Sequence, residues 1–205
     1  MHDYEVVSSE RAFTGRVVSV RSDDVSMPDG ATSRRDVVEH PGAVGVVALR
    51  GEGEQAEVLL VNQYRHPVGR RLDELPAGLL DVQHESALLA AQRELAEEAG
   101  LEAGTWQVLV DLLTSPGMTD EAIRVYLARD VRPCVRPVQE HEEVELTSSW
   151  VRLSDAVRAV LAGQIENAVC VVGLLAAAEA SRSGFARLRP PSAPWFSRPQ
   201  AGPAS

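Results

Sequence analysis

"AAQRELAEEAGL", Ala90 to Leu101, places Glu94, Glu97 and Glu98 in what reads as the last two turns of a helix. Carboxylates three and four residues apart repel by roughly 0.2–0.5 kcal/mol a pair, and acids near a helix C-terminus oppose the dipole by about 0.3–1 kcal/mol each. A favourable partner is needed. On an ideal helix Glu94 and Glu98 lie one above the other with Glu97 beside them, while Leu88, Ala91, Leu95 and Ala99 form a separate apolar stripe. Such a carboxylate face suits a hard divalent cation, magnesium above all, which takes oxygen ligands in octahedral geometry and is commonly shared with substrate phosphates.

The helix is expected to open at Ser86 and stop at Gly100. Upstream, "GAVGVVALR" (42–50) and "AEVLLVNQYR" (56–65) flank "GEGEQ" and read as a hairpin of buried strands. Before them, "GRVVSVRSDDVSM" and "RRDVVEH", parted by the turn "PDG" at 28–30, predict antiparallel strands. Residues 67–83 read as loop and strand, with Gly78 of "ELPAG" allowing close backbone approach. Downstream, "WQVLVDLLTSPG", "IRVYLARDV" and "ELTSSWVRLS" predict strands. A short helix capped at Ser154 and a longer apolar one ending near Gly184 follow. The expected architecture is α+β (mixed α/β), with an N-terminal β region over 1–41, a main domain over 42–185 and a Pro/Ser/Arg-rich tail over 186–205. The tail is expected to be poorly ordered or to wrap a neighbour.

The chain has 205 residues, 44% of them hydrophobic, enough for a core of its own. Its net charge of −10, with 30 acids against 20 basic residues, argues against affinity for nucleic acid or anionic membranes. A small anionic ligand therefore needs locally concentrated arginine or a metal. Two cysteines, Cys134 and Cys170, make neither a disulfide framework nor a zinc cluster. No leader and no membrane span is read, so a soluble cytoplasmic protein is expected.

The segment Gly78 to Leu101, with Glu85, Arg93, Glu94, Glu97, Glu98 and Gly100, resembles the signature of the Nudix hydrolases. Its loop "LLDVQH", between Gly78 and Glu85, is one residue longer than the family pattern. The resemblance implies a Nudix α/β/α sandwich and a metal held by Glu94, Glu98 and the Ala77 carbonyl, with Glu97 as a further ligand or a holder of metal-bound water and Arg93 orienting the glutamates. The cofactor implied is Mg2+, with Mn2+ as a substitute.

Within the family, the chain is similar to the ADP-ribose pyrophosphatase branch: Pro116 stands sixteen residues beyond Gly100, and "NQYRH" puts Arg65 at a strand end. The planar fork of arginine matches phosphate. The similarity implies hydrolysis of ADP-ribose to AMP and ribose 5-phosphate by a domain-swapped homodimer. Glu143 is then the expected general base, with Glu142 in reserve. Glu121 is expected at the terminal ribose of the substrate, Gly117 and Met118 in the lining of the pocket, Arg35 at the adenine site of the partner, and Tyr64 as the available stacking ring. Other nucleoside diphosphate substrates, such as a GDP-sugar, FAD or NADH, and a non-catalytic nucleotide-binding module are the alternatives.

Overall fold

A computed structural model describes residues 4–135 and 146–197. It divides into two units. One takes its described residues from 4–42 and 112–122, with Ser197; the other takes them from 43–111 and 123–196.

The first unit is built on an antiparallel sheet of β1 (Val6–Thr14), β2 (Ser19–Ser26) and β3 (Thr32–Glu39), in that order. The turn expected at "PDG" joins β2 to β3: Gly30 adopts φ 82° and its N–H donates to the Met27 carbonyl at 2.9 Å. Asp23, on β2, is buried, and accepts from Ser9 Oγ at 2.6 Å and Arg21 Nε at 2.9 Å. A buried carboxylate needs such partners. Residues 112–122 bind the end of β3 through the backbone, Val38 N–H to the Met118 carbonyl at 2.8 Å and Asp120 N–H to the Val38 carbonyl at 3.3 Å.

The second unit holds a seven-stranded mixed sheet. Its strands are β4 (Ala43–Arg50), β5 (Glu57–Arg65), β6 (Arg70–Glu74), β7 (Ala77–Leu79), β8 (Leu101–Leu113), β9 (Ala122–Pro133) and β10 (Thr147–Arg152). The main path runs β10-β5-β4-β9-β8, with β6 on β5 and β7 on β4. The hairpin expected of β4 and β5 forms only at its turn, where Leu49 faces Val58 and Arg50 faces Glu57. Beyond it β4 leaves β5 and pairs antiparallel with β7 through Ala43–Gly45, while its other side pairs parallel with β9. The Val46 N–H donates to the Pro76 carbonyl at 2.8 Å, so the segment after β6 is inserted where a longer hairpin would have run.

Side chains alternate across β4. Val44, Val46 and Ala48 pack with Ala87, Ala90, Ala91 and Leu95 of helix α1 (Ala87–Ala99), while Gly45 lies on the other face, its Cβ position 3.2 Å from Val169 of helix α3 (Ala168–Ser181). The layers are therefore helix, sheet and helix. Each fully buried Leu or Val contributes on the order of 1.5–3 kcal/mol. Helix α2 (Leu153–Leu161) starts directly at the end of β10, anchored by Leu153 N–H on the Ala56 carbonyl at 2.9 Å. Its N-cap is Arg152, without a side-chain cap, instead of the expected Ser154.

The described part of the tail, 186–197, differs from expectation. The Arg189 carbonyl accepts from Val108 N–H at 3.0 Å, and the buried Arg124 donates to the carbonyls of Ala193 at 2.7 Å and Pro194 at 2.9 Å. Trp195 lies 5.0 Å from the Arg124 guanidinium. Residues 189–195 thus form a strap on the unit's own sheet, drawn there by a buried arginine whose extra donors need acceptors.

Candidate active site

Helix α1 opens as read from sequence: Ser86 Oγ accepts from Leu89 N–H at 3.2 Å. It closes at Gly100, whose left-handed φ of 65° costs glycine nothing and whose N–H donates to the Ala96 carbonyl at 2.9 Å. The glutamates are less exposed than a solvated helix face would be. Glu94 and Glu98 are buried, and Glu97 is half-buried.

Two small residues of β7 make this burial feasible. A Cβ on Gly78 would stand 1.9 Å from Glu94 Oε1, so only glycine leaves room for that carboxylate. The Ala77 N–H donates to Glu98 Oε2 at 3.1 Å. The "PAG" stretch therefore acts by what it lacks in side chain as well as by what its backbone offers.

Arg93 sits among the remaining carboxylates. Its Nη1 donates to Glu94 Oε1 at 2.6 Å and to Glu97 Oε2 at 2.9 Å, and its Nε and Nη2 form a fork on Glu85 at 3.1 Å each. The hydrogen bonds to Glu85 come first among the causes that raise its pKa, joined by the field of Glu94 and the bonds to Glu97 and Glu94 against the cost of burial. The extra residue in the preceding loop is absorbed without displacing Glu85. His84 takes the left-handed conformation at φ 64°, and Glu85 N–H donates to the Val82 carbonyl at 3.3 Å.

These donors fit a hard divalent cation in kind: four carboxylates and the backbone of β7 offer oxygen, and the cradle beside Gly78 is kept clear of any Cβ. In this arrangement they are shared between Arg93 and the Ala77 N–H. Among the described residues no three His, Cys, Asp or Glu side chains are gathered as a ready ligand group.

Arg65, at the end of β5, donates through Nε and Nη2 to the two oxygens of Glu74 at 2.8 and 2.7 Å. Tyr64 is exposed beside it, its ring 6.3 Å from that of His66. In the other unit, Glu121 accepts from Thr114 Oγ1 at 2.5 Å and faces His40 Nε2 at 3.5 Å. The Nδ1 of the same His40 accepts from Gly42 N–H at 3.1 Å, so Nε2 carries the proton. Gly117 and the exposed Met118 lie in the loop before Glu121, and Arg35 is exposed on β3. Ala77, Arg93, Glu94, Glu97 and Glu98 are thus brought together, with Glu85. Glu142 and Glu143 lie outside the described residues.

The pattern of the NUDIX domain matches residues 39–170, which include this whole carboxylate face. The chain belongs to the Nudix family. It is 50% identical over 200 residues to an ADP-ribose pyrophosphatase of Mycobacterium tuberculosis, covering 98% of this chain and 95% of that one. An ADP-ribose pyrophosphatase of Bacillus subtilis is 36% identical over 80% of this chain and 86% of its own. A solved ADP compounds hydrolase shares the fold, with a TM-score of 0.77 and 21% identity over 90% of this chain and 97% of that one. The chain is a Nudix hydrolase by these relationships, and Nudix hydrolases generally use divalent metal ions.

Sequence reading missed Glu74 and understated Gly78. An acid at the end of a strand and beside a proline was the signal for the first. For the second, the signal was a glycine in a stretch that needs no turn.

Proposed function

We propose that this Nudix hydrolase cleaves the pyrophosphate of ADP-ribose, giving AMP and ribose 5-phosphate, with Mg2+ as cofactor and Mn2+ as its substitute. The carboxylate face about Arg93 carries the reaction class. The 50% identity to an ADP-ribose pyrophosphatase over nearly the whole chain supports the substrate.

Glu94, Glu98, Glu97 and the Ala77 carbonyl hold the metal in this reading. A bound divalent ion makes water more acidic and offsets charge developing on phosphoryl oxygens. Arg93 keeps the glutamates parted and in fixed rotamers. Glu143, or Glu142 in its place, accepts the proton of the attacking water as the oxygen bonds to one phosphorus and the bridging oxygen leaves with the other. Arg65 contacts the substrate phosphate, and Tyr64 offers a face for the base. Glu121 serves the terminal ribose, and Gly117 and Met118 line the pocket.

We further propose a homodimer in which N-terminal strands serve the partner's adenine site through Arg35. Every residue of β1 is exposed, Val6, Val7 and Phe13 included, which leaves apolar edge surface for a second copy. A reducing cytoplasm suits the two free thiols. Among the described residues no helix is long and apolar enough to cross a membrane.

The deciding experiment incubates the protein with ADP-ribose and Mg2+ in water enriched in heavy oxygen and identifies the products by mass. AMP and ribose 5-phosphate, one of them labelled, are expected, and the labelled product names the phosphorus attacked. Turnover of a GDP-sugar, FAD or NADH in preference would overturn the substrate. Retained, uncleaved nucleotide would make the chain a binding module.

A further inference from the structure

The pair formed by Arg65 and Glu74 is lopsided. The Arg65 side chain is 41% exposed while that of Glu74 is 4% exposed, so a buried acid holds a cation that faces outward. A buried ion pair is weak support for a fold, since well-packed apolar residues of similar volume are often as stable or more so. Its two parallel hydrogen bonds, at 2.8 and 2.7 Å, fix instead the plane and direction of the guanidinium.

Position gives that orientation a use. Glu74 ends β6, and three residues later Ala77 binds Glu98 while Gly78 makes room for Glu94. One short segment, 74–78, thus anchors the arginine and shapes the carboxylate face. In a chain of net charge −10, a loose arginine would be drawn onto whichever acids lie within its reach. The fork on Glu74 uses the Nε and Nη2 edge and keeps the cation aimed along one line. A phosphate then meets a donor whose ordering cost was met on folding.

We propose that Glu74 is a positioning residue: it acts through Arg65 to present a fixed guanidinium to a phosphate of the substrate. This rests on the pyrophosphatase reading above. The test is a double-mutant cycle of Glu74→Gln, Arg65→Ala and both together, with kcat, KM and melting temperature measured on the full chain with ADP-ribose and Mg2+. Glu74→Gln should raise KM about tenfold, the loss of one oriented charged hydrogen bond, with kcat changed far less. In the Arg65→Ala background the same change should have no further effect on kcat/KM. Effects that multiply, or an unchanged KM in Glu74→Gln, would overturn the proposal.

Glu74→Asp retains the charge but shortens the reach, and should give an intermediate KM at an unchanged melting temperature. It takes the place of Glu74→Gln should that variant fail to melt cooperatively. Wild-type protein inactive on ADP-ribose would sink the substrate reading instead. Calorimetric binding of inorganic pyrophosphate would then still decide the role of Glu74, which requires equal weakening in Glu74→Gln and Arg65→Ala and no further loss in the double variant.

Discussion

Two arginines organise the α1 face of the same sheet, and they do it in opposite ways. Val44 stands beside Gly78 on one neighbouring strand and Arg124 on the other, so all three point to the α1 side. Arg124 is buried and saturated: Asp111 at 2.7 and 3.0 Å neutralises it, and the carbonyls of Ala193 and Pro194 take further donors. Arg93, with its side chain 30% exposed, pairs with Glu85, Glu94 and Glu97 while Glu98 lies next to them, so the acids far outnumber it. The supply of acid separates the two roles. A closed network with one acid between Arg124 and Arg189 fastens a strap, whereas a half-open one rich in acid is, in the reading proposed above, set to receive a cation.

If that distinction holds, the largest effect on chemistry should come from the acid-rich side. Glu98→Gln should lower turnover of ADP-ribose about a thousandfold, equivalent to roughly 4 kcal/mol of barrier. Its melting temperature without metal should stay the same or rise, because a repulsive charge is gone. Near-normal turnover in a steady-state assay would remove Glu98 from the site.

Arg124→Gln should do the reverse. Breaking a buried pair costs about 3–5 kcal/mol, and here about 3, since Arg189 Nη1 still reaches Asp111 at 2.8 Å. Thermal denaturation should show a melting point lower by roughly 6–12 °C, with kcat at 25 °C close to wild type. A variant that loses turnover and keeps its melting point would mean that the strap belongs to the chemistry.

Gly78→Ala tests the boundary between the two kinds of network. The added Cβ meets only the end of a flexible side chain, Glu94, so the fold should lose about 1 kcal/mol. Turnover should fall about tenfold or more as Glu94 is pushed from its place beside Arg93. A stability loss without an activity loss would show that the position of Glu94 is immaterial.

What could be read from sequence follows the range of the interactions. Ser86 and Gly100 were legible because capping is settled within four residues. The carboxylate face was legible because helical spacing alone brings Glu94, Glu97 and Glu98 together. Burial of Glu94 was not, since it depends on the missing side chain of Gly78, brought in by a different strand. The short β4–β5 pairing also escaped, because β7 competes for β4 from more than thirty residues away. The strap escaped for the same reason: proline, serine and arginine read as disorder until Arg124, about seventy residues earlier, supplies the donors. Ser154 was misread as a cap because β10 already positions the first turn of α2.

The smallest effect concerns pH, and it sharpens the comparison from the side of the strap. Burial raises the pKa of Asp111, but hydrogen bonds from Arg124 and Arg189, with their charges, outweigh it and hold the carboxyl below the ordinary carboxylate range. A depressed folded pKa means that the unfolded chain binds this proton more readily. The stability the pair contributes is therefore complete well above the ordinary value of about 3.9, and is lost as pH falls through it toward the lower folded value. Urea unfolding of wild type and Asp111→Asn should thus differ at pH 7 and converge toward pH 3, because Asn carries no proton to gain. The two curves running parallel over that interval would mean that the strap is held by the backbone bonds alone, and Arg124 would then be an anchor without an electrostatic part.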